Sequence, residues 1–322
     1  MSEFGLIEYL KRRNRITRQD VLQGIGDDCA RVLVPDGFEL AITADTLIEG
    51  VHFPPGTSAH AVGFKSLAVN LSDLAAMGAQ PAWVTLALSM PSADADWLHG
   101  FAEGFFSLAE TLNIQLIGGD TTQGPLTITI QAHGFIPKGQ ALTRSGARAG
   151  DYICVTGTLG EAGLELLKLG GRPQTQTSVN RLNYPEPRVG AGMALRGIAS
   201  AAIDISDGLI ADLGHILEAS GVGARLTLEE IPLSKAMRED QDPAMMLELA
   251  LTAGDDYELC FTIPENQIDA VNALQYQLNL PIKHIGNIQS QPGMRIYRQD
   301  GVPLEISSGG FSHFSDRKHS RD

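Results

Sequence analysis

Aspartates recur beside glycines or small polar residues in six stretches of this 322-residue chain, mostly just after an apolar run. They are Gly24-Ile-Gly-Asp-Asp28, Thr43-Ala-Asp45-Thr46, Asn70-Leu-Ser-Asp73, Gly118-Gly-Asp120-Thr-Thr122, Asp204-Ile-Ser-Asp207-Gly208 and Gly254-Asp-Asp-Tyr-Glu258. Together they hold ten carboxylates, more than one general acid and one base require. Gathered carboxylates repel one another, so a fold that collects them needs compensating positive charge. Hard oxygen ligands select magnesium, calcium or manganese, and magnesium in addition keeps waters and takes substrate phosphates as ligands. The pattern points to polyphosphate chemistry.

Taken singly, the stretches differ in weight. Asp27-Asp28 reads equally well as a surface turn, and Asp45 as a cap or a ligand. Asp73 is harder to explain blandly, because an unpaired carboxylate inside an apolar helix costs several kcal/mol. Gly118-Gly-Asp120 allows a backbone to approach a ligand closely. Asp204 and Asp207 precede a helix whose N-terminal amides suit a phosphate, or the pair simply caps that helix. Lys65, Arg144 and Arg148 are the basic residues placed to meet phosphates, and His52 is a candidate substrate contact. No GxxxxGK[ST] and no protein-kinase motif set occurs. Gly24-x-Gly26 leads into two aspartates that would repel a pyrophosphate, and no HExxH or Cys/His spacing supports zinc.

The elements that must hold these residues follow from hydrophobic periodicity. Residues 38–43 predict a strand with Asp45 at its C-terminal end. Residues 59–77 have helical spacing through Val62, Leu67, Leu71 and Leu74, with Asn70 and Asp73 on one face and Gly78 as C-cap. A strand at 83–88, a helix at 93–112, a strand at 114–117 entering Gly118, and an alternating strand from Leu126 to His133 complete the first half. Residues 137–150 are rich in glycine and bases and predict a domain boundary. Beyond it come a strand at 151–155, a glycine turn at 156–160, a helix at 161–169, a strand at 201–205 and a helix at 209–219. Strands at 224–228, 247–251 and 258–263 and a helix at 264–278 close the pattern. Two domains are expected, 1–147 as α/β and 148–322 as α+β.

Composition adds bounds. Hydrophobic residues at 43% and charged residues at 19% suit a globular fold with a full core. A net charge of -14 argues against a nucleic-acid or anionic-membrane partner. Cys29, Cys154 and Cys260 form no CxxC and read as buried thiols of a reducing compartment. Lys11, Arg12, Arg13 and Arg15 follow the first apolar stretch instead of preceding it, so no signal peptide is expected. The uncharged run from Leu74 contains Gly78, Pro81 and Pro91 and predicts no membrane span. A cytoplasmic location is the expectation.

These motifs, in order, resemble those of thiamine-monophosphate kinases. The resemblance rests on Gly24-Ile-Gly-Asp-Asp28-Cys-Ala, Asp45-Thr-Leu, Val51-His52-Phe53, the helix segment from Lys65 to Gly78, and Gly118-Gly-Asp120-Thr-Thr. It continues through Leu142-Thr-Arg144-Ser-Gly, Ile203-Asp204-Ile-Ser-Asp207-Gly-Leu and Asp256-Tyr-Glu-Leu-Cys, spanning about Gly24 to Phe314. The superfamily also includes aminoimidazole ribonucleotide synthetase and selenophosphate synthetase. The resemblance implies the two-domain fold of the former, with N-terminal strands pairing across a homodimer and ATP between the domains. It implies ATP-dependent phosphorylation of thiamine phosphate to thiamine diphosphate with several Mg2+ ions per site.

Carried over by position, Asp28, Thr43, Ala44, Asp45, Asp73, Asp120, Asp204 and Asp207 become magnesium ligands. Gly119, Asp120, Arg144 and Ser206 become ATP contacts, and His52, Asp255 and Phe311 contacts to thiamine phosphate, with no catalytic residue beyond the metal cluster. Relatives often read Ser-Thr-Asp where this chain has Thr43-Ala44-Asp45, so ligation at 44 would use the backbone carbonyl. They often carry Glu where this chain has the shorter Asp255. Two alternatives stay open: another ATP-dependent synthetase of the superfamily, or a non-catalytic divalent-cation-binding protein. Within the first, selenophosphate synthetase would want a reactive Cys or selenocysteine in a glycine-rich N-terminal segment, and none precedes Cys29; a hydrogenase-maturation relative would want a C-terminal cysteine, where this chain reads His-Ser-Arg-Asp. The second would want contiguous acidic loops, whereas the acids here are dispersed.

Overall fold

The strand expected to end at Asp45 instead runs on to Ile48. The computed structural model describes residues 3–170, 181–240 and 242–304. Its first half contains α1 (Glu3–Arg13), β1 (Val21–Gln23), β2 (Arg31–Val32), β3 (Phe38–Ile48), α2 (Ala59–Ala76), β4 (Gln80–Met90), α3 (Ala95–Thr111), β5 (Gln115–Gln123) and β6 (Thr127–Pro137). The second half begins with β7 (Tyr152–Thr156), α4 (Glu161–Leu169), α5 (Val189–Ala194), β8 (Ala201–Asp204), α6 (Leu209–Ser220) and β9 (Gly223–Thr227). It continues with α7 (Lys235–Arg238), α8 (Pro243–Thr252), β10 (Leu259–Ile263), α9 (Ile268–Leu278), β11 (Ile282–Gln289), β12 (Gly293–Tyr297) and β13 (Pro303–Leu304).

The first half forms a four-stranded sheet in the order β3-β6-β4-β5, with only β4 and β5 parallel. Its period-2 alternation sends Leu47, Ile128, Ile130, Leu86 and Leu88 into the core under α2 and α3. The opposite face leaves Leu40, Ile42 and Ile48 exposed. The two helices lie unusually close. A Cβ on Gly63 would sit 2.0 Å from the Phe101 carbonyl oxygen, and one on Gly104 would sit 1.9 Å from that of His60.

The second half forms a seven-stranded sheet in the order β13-β12-β9-β11-β7-β10-β8, antiparallel except where β12 lies beside β9. One apolar cluster extends from the first sheet across α2 to Ala202, Leu259 and Phe261 of the second sheet. Helix α2 is therefore covered on nearly all sides, and its polar residues Lys65, Ser66, Asn70 and Ser72 are buried. Each must find a partner or cost free energy. That requirement places the site.

Three more expectations change. Residues 247–251 belong to helix α8, not to a strand, because Asp242 caps Met245 from 3.1 Å and Pro243 opens the first turn. Cys29 is exposed, while Cys154 and Cys260 are buried. Met77 is the C-cap of α2, and Gly78 follows it at φ 68 with its amide on the Ala75 carbonyl. Among the described residues no helix is long and apolar enough to cross a membrane.

Candidate active site

Helix α2 supplies the floor of the site. The Asn70 side chain donates to the Ser66 carbonyl at 3.1 Å and accepts the Asp45 amide at 3.1 Å, locking the edge strand β3 onto the helix. One turn on, Asp73 accepts a hydrogen bond from the Thr43 hydroxyl. Ser72, buried, donates to Asp204 Oδ2 at 2.7 Å and so ties α2 to the end of β8. Asp45, Asp73 and Asp204 thereby converge from three elements of both halves.

The electrostatics record the crowding. Burial and then Asp73 push Asp45 up to about 6. Burial, then Asp73, Asp212 and Asp45, push Asp204 up to about 8 against the lowering by Ser72. Burial also raises Asp73, with the Thr43 hydroxyl and the nearby Arg144 charge opposing the rise. Each ionised form is disfavoured by lost hydration and by its neighbours, the condition that a bound dication relieves.

The turn after β8 is held by a residue that sequence reasoning missed. Asp212, on the first turn of α6 and buried, accepts the amides of Ser206, Asp207 and Gly208 on one oxygen at 3.0, 3.0 and 3.1 Å. The three amides that precede helix α6 are thus committed to Asp212. Burial pushes Asp212 up to about 7 even against those three donors. Its only sequence signal was an acid in the first turn of a helix, which many helices carry.

Against this turn lies the loop before β10. The Asp255 amide bonds to the Ser206 carbonyl at 2.9 Å and the Tyr257 amide to the Ile205 carbonyl at 2.8 Å. A Cβ on Gly254 would fall 2.2 Å from the Ser206 carbonyl oxygen, so only glycine admits this approach. Lys65, read as a phosphate partner, is only 3% exposed and pairs with Asp255 at 3.0 Å. His52 Nδ1 accepts the Ile48 amide at 3.0 Å within the loop that follows β3. Asp256 turns away and accepts the Gly160 amide at 2.8 and 3.0 Å, while Glu258 pairs with Arg188 at 2.5 Å.

Other candidates stand apart. Register puts Asp120 beside Ala87, Ala87 beside Thr129 and Thr129 beside Thr46, on the sheet face opposite Asp45. Strand β5 is also the far edge from β3, about 14 Å away across three strand spacings. Gly119 and Asp120 line a recess with Ile7, Leu10 and Ile25, and exposed Asp28 lies in the same 24–30 loop as Ile25. Ala44 shares the outer face through Gln131. Arg144, exposed in the segment leading to β7, does not stand apart, since its charge lies near enough to Asp73 to oppose the rise of that carboxyl. Phe311 lies outside the described residues.

Among the described residues no three His, Cys, Asp or Glu side chains form a ready-made coordination shell. The donor chemistry nevertheless fits a hard dication: Asp45, Asp73 and Asp204 are oxygen donors, Thr43 adds a hydroxyl, and magnesium completes its octahedron with waters and phosphates.

Comparison with known proteins gives a consistent picture. Residues 26–136 match the AIR synthase related protein, N-terminal domain, and residues 148–299 the corresponding C-terminal domain. The chain is 47% identical to a thiamine-monophosphate kinase of Salmonella typhimurium, covering 97% of this chain and 98% of the relative. The crystal structure of thiamine-monophosphate kinase from Stenotrophomonas maltophilia superposes with a TM-score of 0.86 at 46% identity, covering 94% of this chain and 98% of that one. A structure described as AaThiL complexed with AMPPCP and TMP superposes with a TM-score of 0.75 at 30% identity, covering 97% of each chain.

Proposed function

The chain belongs to the thiamine-monophosphate kinase family, and from that premise we propose that it transfers the terminal phosphoryl group of ATP to thiamine phosphate, giving thiamine diphosphate and ADP. The observation that carries this reading is a likeness that spans nearly the whole chain and includes both sheets and the loops between them. The convergence of Asp45, Asp73 and Asp204 where the two halves meet supports it chemically.

The acceptor is a phosphate oxygen already ionised at neutral pH, so no residue need remove a proton from it. The task of the chain is to bring two anions together in line and hold them still. We assign the Mg2+ sites to Asp45, Asp73, Asp204, Asp207 and the Thr43 hydroxyl, with Ala44 acting through its carbonyl and Asp28 and Asp120 as outlying ligands. Bound magnesium supplies the positive charge that lowers phosphate–phosphate repulsion and polarises the transferred group. Arg144, close enough to Asp73 to oppose its rise in pKa, reaches over the nucleotide phosphates. Ser206 and Gly119 contact ATP, and Asp212 keeps the Ser206–Gly208 turn in place. His52, Asp255 and Phe311 bind thiamine phosphate.

We assign a homodimer as well. Leu40, Ile42 and Ile48, at 36%, 55% and 36% exposed, form an apolar stripe along edge strand β3 that a second copy would cover. The domain division at 147/148 and a cytoplasmic location complete the reading; three free thiols are in keeping with the latter.

The test is ADP release at saturating ATP and magnesium with thiamine phosphate or thiamine as acceptor. Thiamine lacks the anionic oxygens through which the acceptor is oriented, and as an alcohol it needs a base that the cluster does not offer. Turnover with thiamine phosphate and almost none with thiamine is the expected result. Comparable rates would refute the mechanism.

A further inference from the structure

Lys65 sits in α2 among apolar neighbours, yet its ammonium ties two distant loops together. It meets Asp255 Oδ1 at 3.0 Å, in the loop before β10, and the His52 carbonyl at 3.4 Å, in the loop after β3. A lysine that is 3% exposed is costly unless paired, so its position needs a return. On the other side of the carboxylate, the Tyr257 hydroxyl donates to the same Oδ1 at 2.9 Å. Two donors on one oxygen fix the rotation of the carboxylate and leave Oδ2 outside the clamp.

The backbone is held as firmly. Asp255 at φ 68 and Tyr257 at φ 51 both occupy the left-handed region, which non-glycine residues rarely adopt and Asp tolerates better than Glu. Two such residues this close together mark a loop whose shape is imposed by its surroundings. Here the surroundings are Ser206 and Ile205, which accept the Asp255 and Tyr257 amides. The shorter side chain at 255 thus suits both the backbone conformation and the two donors that grip it.

We propose that Lys65 and Tyr257 are positioning residues that hold Asp255 and His52 as the two walls of the thiamine-phosphate pocket. Asp255 Oδ2 then stands as a preset acceptor for an N–H group or the cationic ring of the acceptor substrate. This inference rests on His52 and Asp255 contacting thiamine phosphate, as assigned above. It predicts that the clamp acts on the acceptor and not on ATP.

The variants are Lys65→Met, Lys65→Arg and Tyr257→Phe; the last deletes a single oxygen and leaves packing intact, so it reports even if Lys65→Met fails to fold. Steady-state constants are measured for both substrates, and thiamine-phosphate binding by calorimetry in the presence of magnesium and a non-hydrolysable ATP analogue. Lys65→Met and Tyr257→Phe should raise both the KM and the Kd for thiamine phosphate by about tenfold or more while the KM for ATP stays within about twofold, and Lys65→Arg should recover part of the loss. Constants for ATP and thiamine phosphate that rise together would show a merely structural strut and overturn the proposal. So would wild-type affinity for thiamine phosphate in Tyr257→Phe. A wild-type protein that releases no ADP with thiamine phosphate would instead refute the functional reading itself.

Discussion

Replacing Asp204 with Asn tests the carboxylate cluster in two opposite directions. Asp204 is 4% exposed, and burial with its acidic neighbours pushes its pKa from 3.8 up to about 8. Each pH unit between those values is worth about 1.4 kcal/mol, so the ionised group opposes folding by at most about 6 kcal/mol, part of which relaxation and water entry recover. The raised carboxyl binds its proton more tightly in the folded than in the unfolded chain. Stability of the metal-free protein is therefore undiminished below about pH 4, falls as pH climbs towards 8, and levels off above. Asp45, raised to about 6, adds a loss of the same sign over a narrower window.

Asparagine keeps the shape and an acceptor for the Ser72 hydroxyl but carries no charge. Asp204→Asn should raise metal-free stability at pH 8 by about 2 kcal/mol, several degrees in Tm, and leave it near wild type at about pH 4.5. Turnover should fall by about 100-fold or more, because the carboxylate proposed to hold magnesium loses its charge. Calorimetric unfolding in chelator at the two pH values, repeated in excess magnesium, provides the assay. Wild type should gain more from magnesium at pH 8 than the variant does. A variant less stable than wild type in chelator at pH 8 would refute the crowding argument, and near-normal turnover would refute the ligand assignment.

Two further outcomes follow from the geometry. Asp212→Ala leaves three amides without their acceptor and should cost about 2 kcal/mol or more in chemical denaturation, with Asp212→Asn intermediate because one oxygen remains; equal midpoints for all three proteins would remove Asp212 from its role. Ile42→Asp places a charge in the exposed stripe on β3 and should shift sedimentation from a species near twice 34.4 kDa to the single chain; a wild-type monomer with full activity would dismiss the dimer.

Much of the site was legible because its residue types are unusual for their positions. Asp73 and Asn70 sit in a helix that apolar spacing marks as buried, and buried polar groups demand partners, so their importance could be argued before any partner was known. The motifs around Gly24, Gly118 and Asp204 carried the resemblance by local order alone. Periodicity placed α2, α3, β6, β7, β8 and α6 within a few residues, yet it misread α8, where Leu247, Leu249 and Leu251 alternate while the cap at Asp242 and Pro243 decides for helix.

What local pattern could not supply was which acids meet. Asp45, Asp73 and Asp204 converge only because α2 is packed between two sheets, a non-local arrangement with no periodic signature. Register alone decides that Asp120 falls on the other face, since a one-residue shift would reverse it. Asp212, Lys65 and Tyr257 look ordinary along the chain: an acid in a first turn, a lysine in a helix and a tyrosine before a strand. Their roles exist only in three dimensions, where one carboxylate gathers three amides and one buried ammonium joins loops about 200 positions apart.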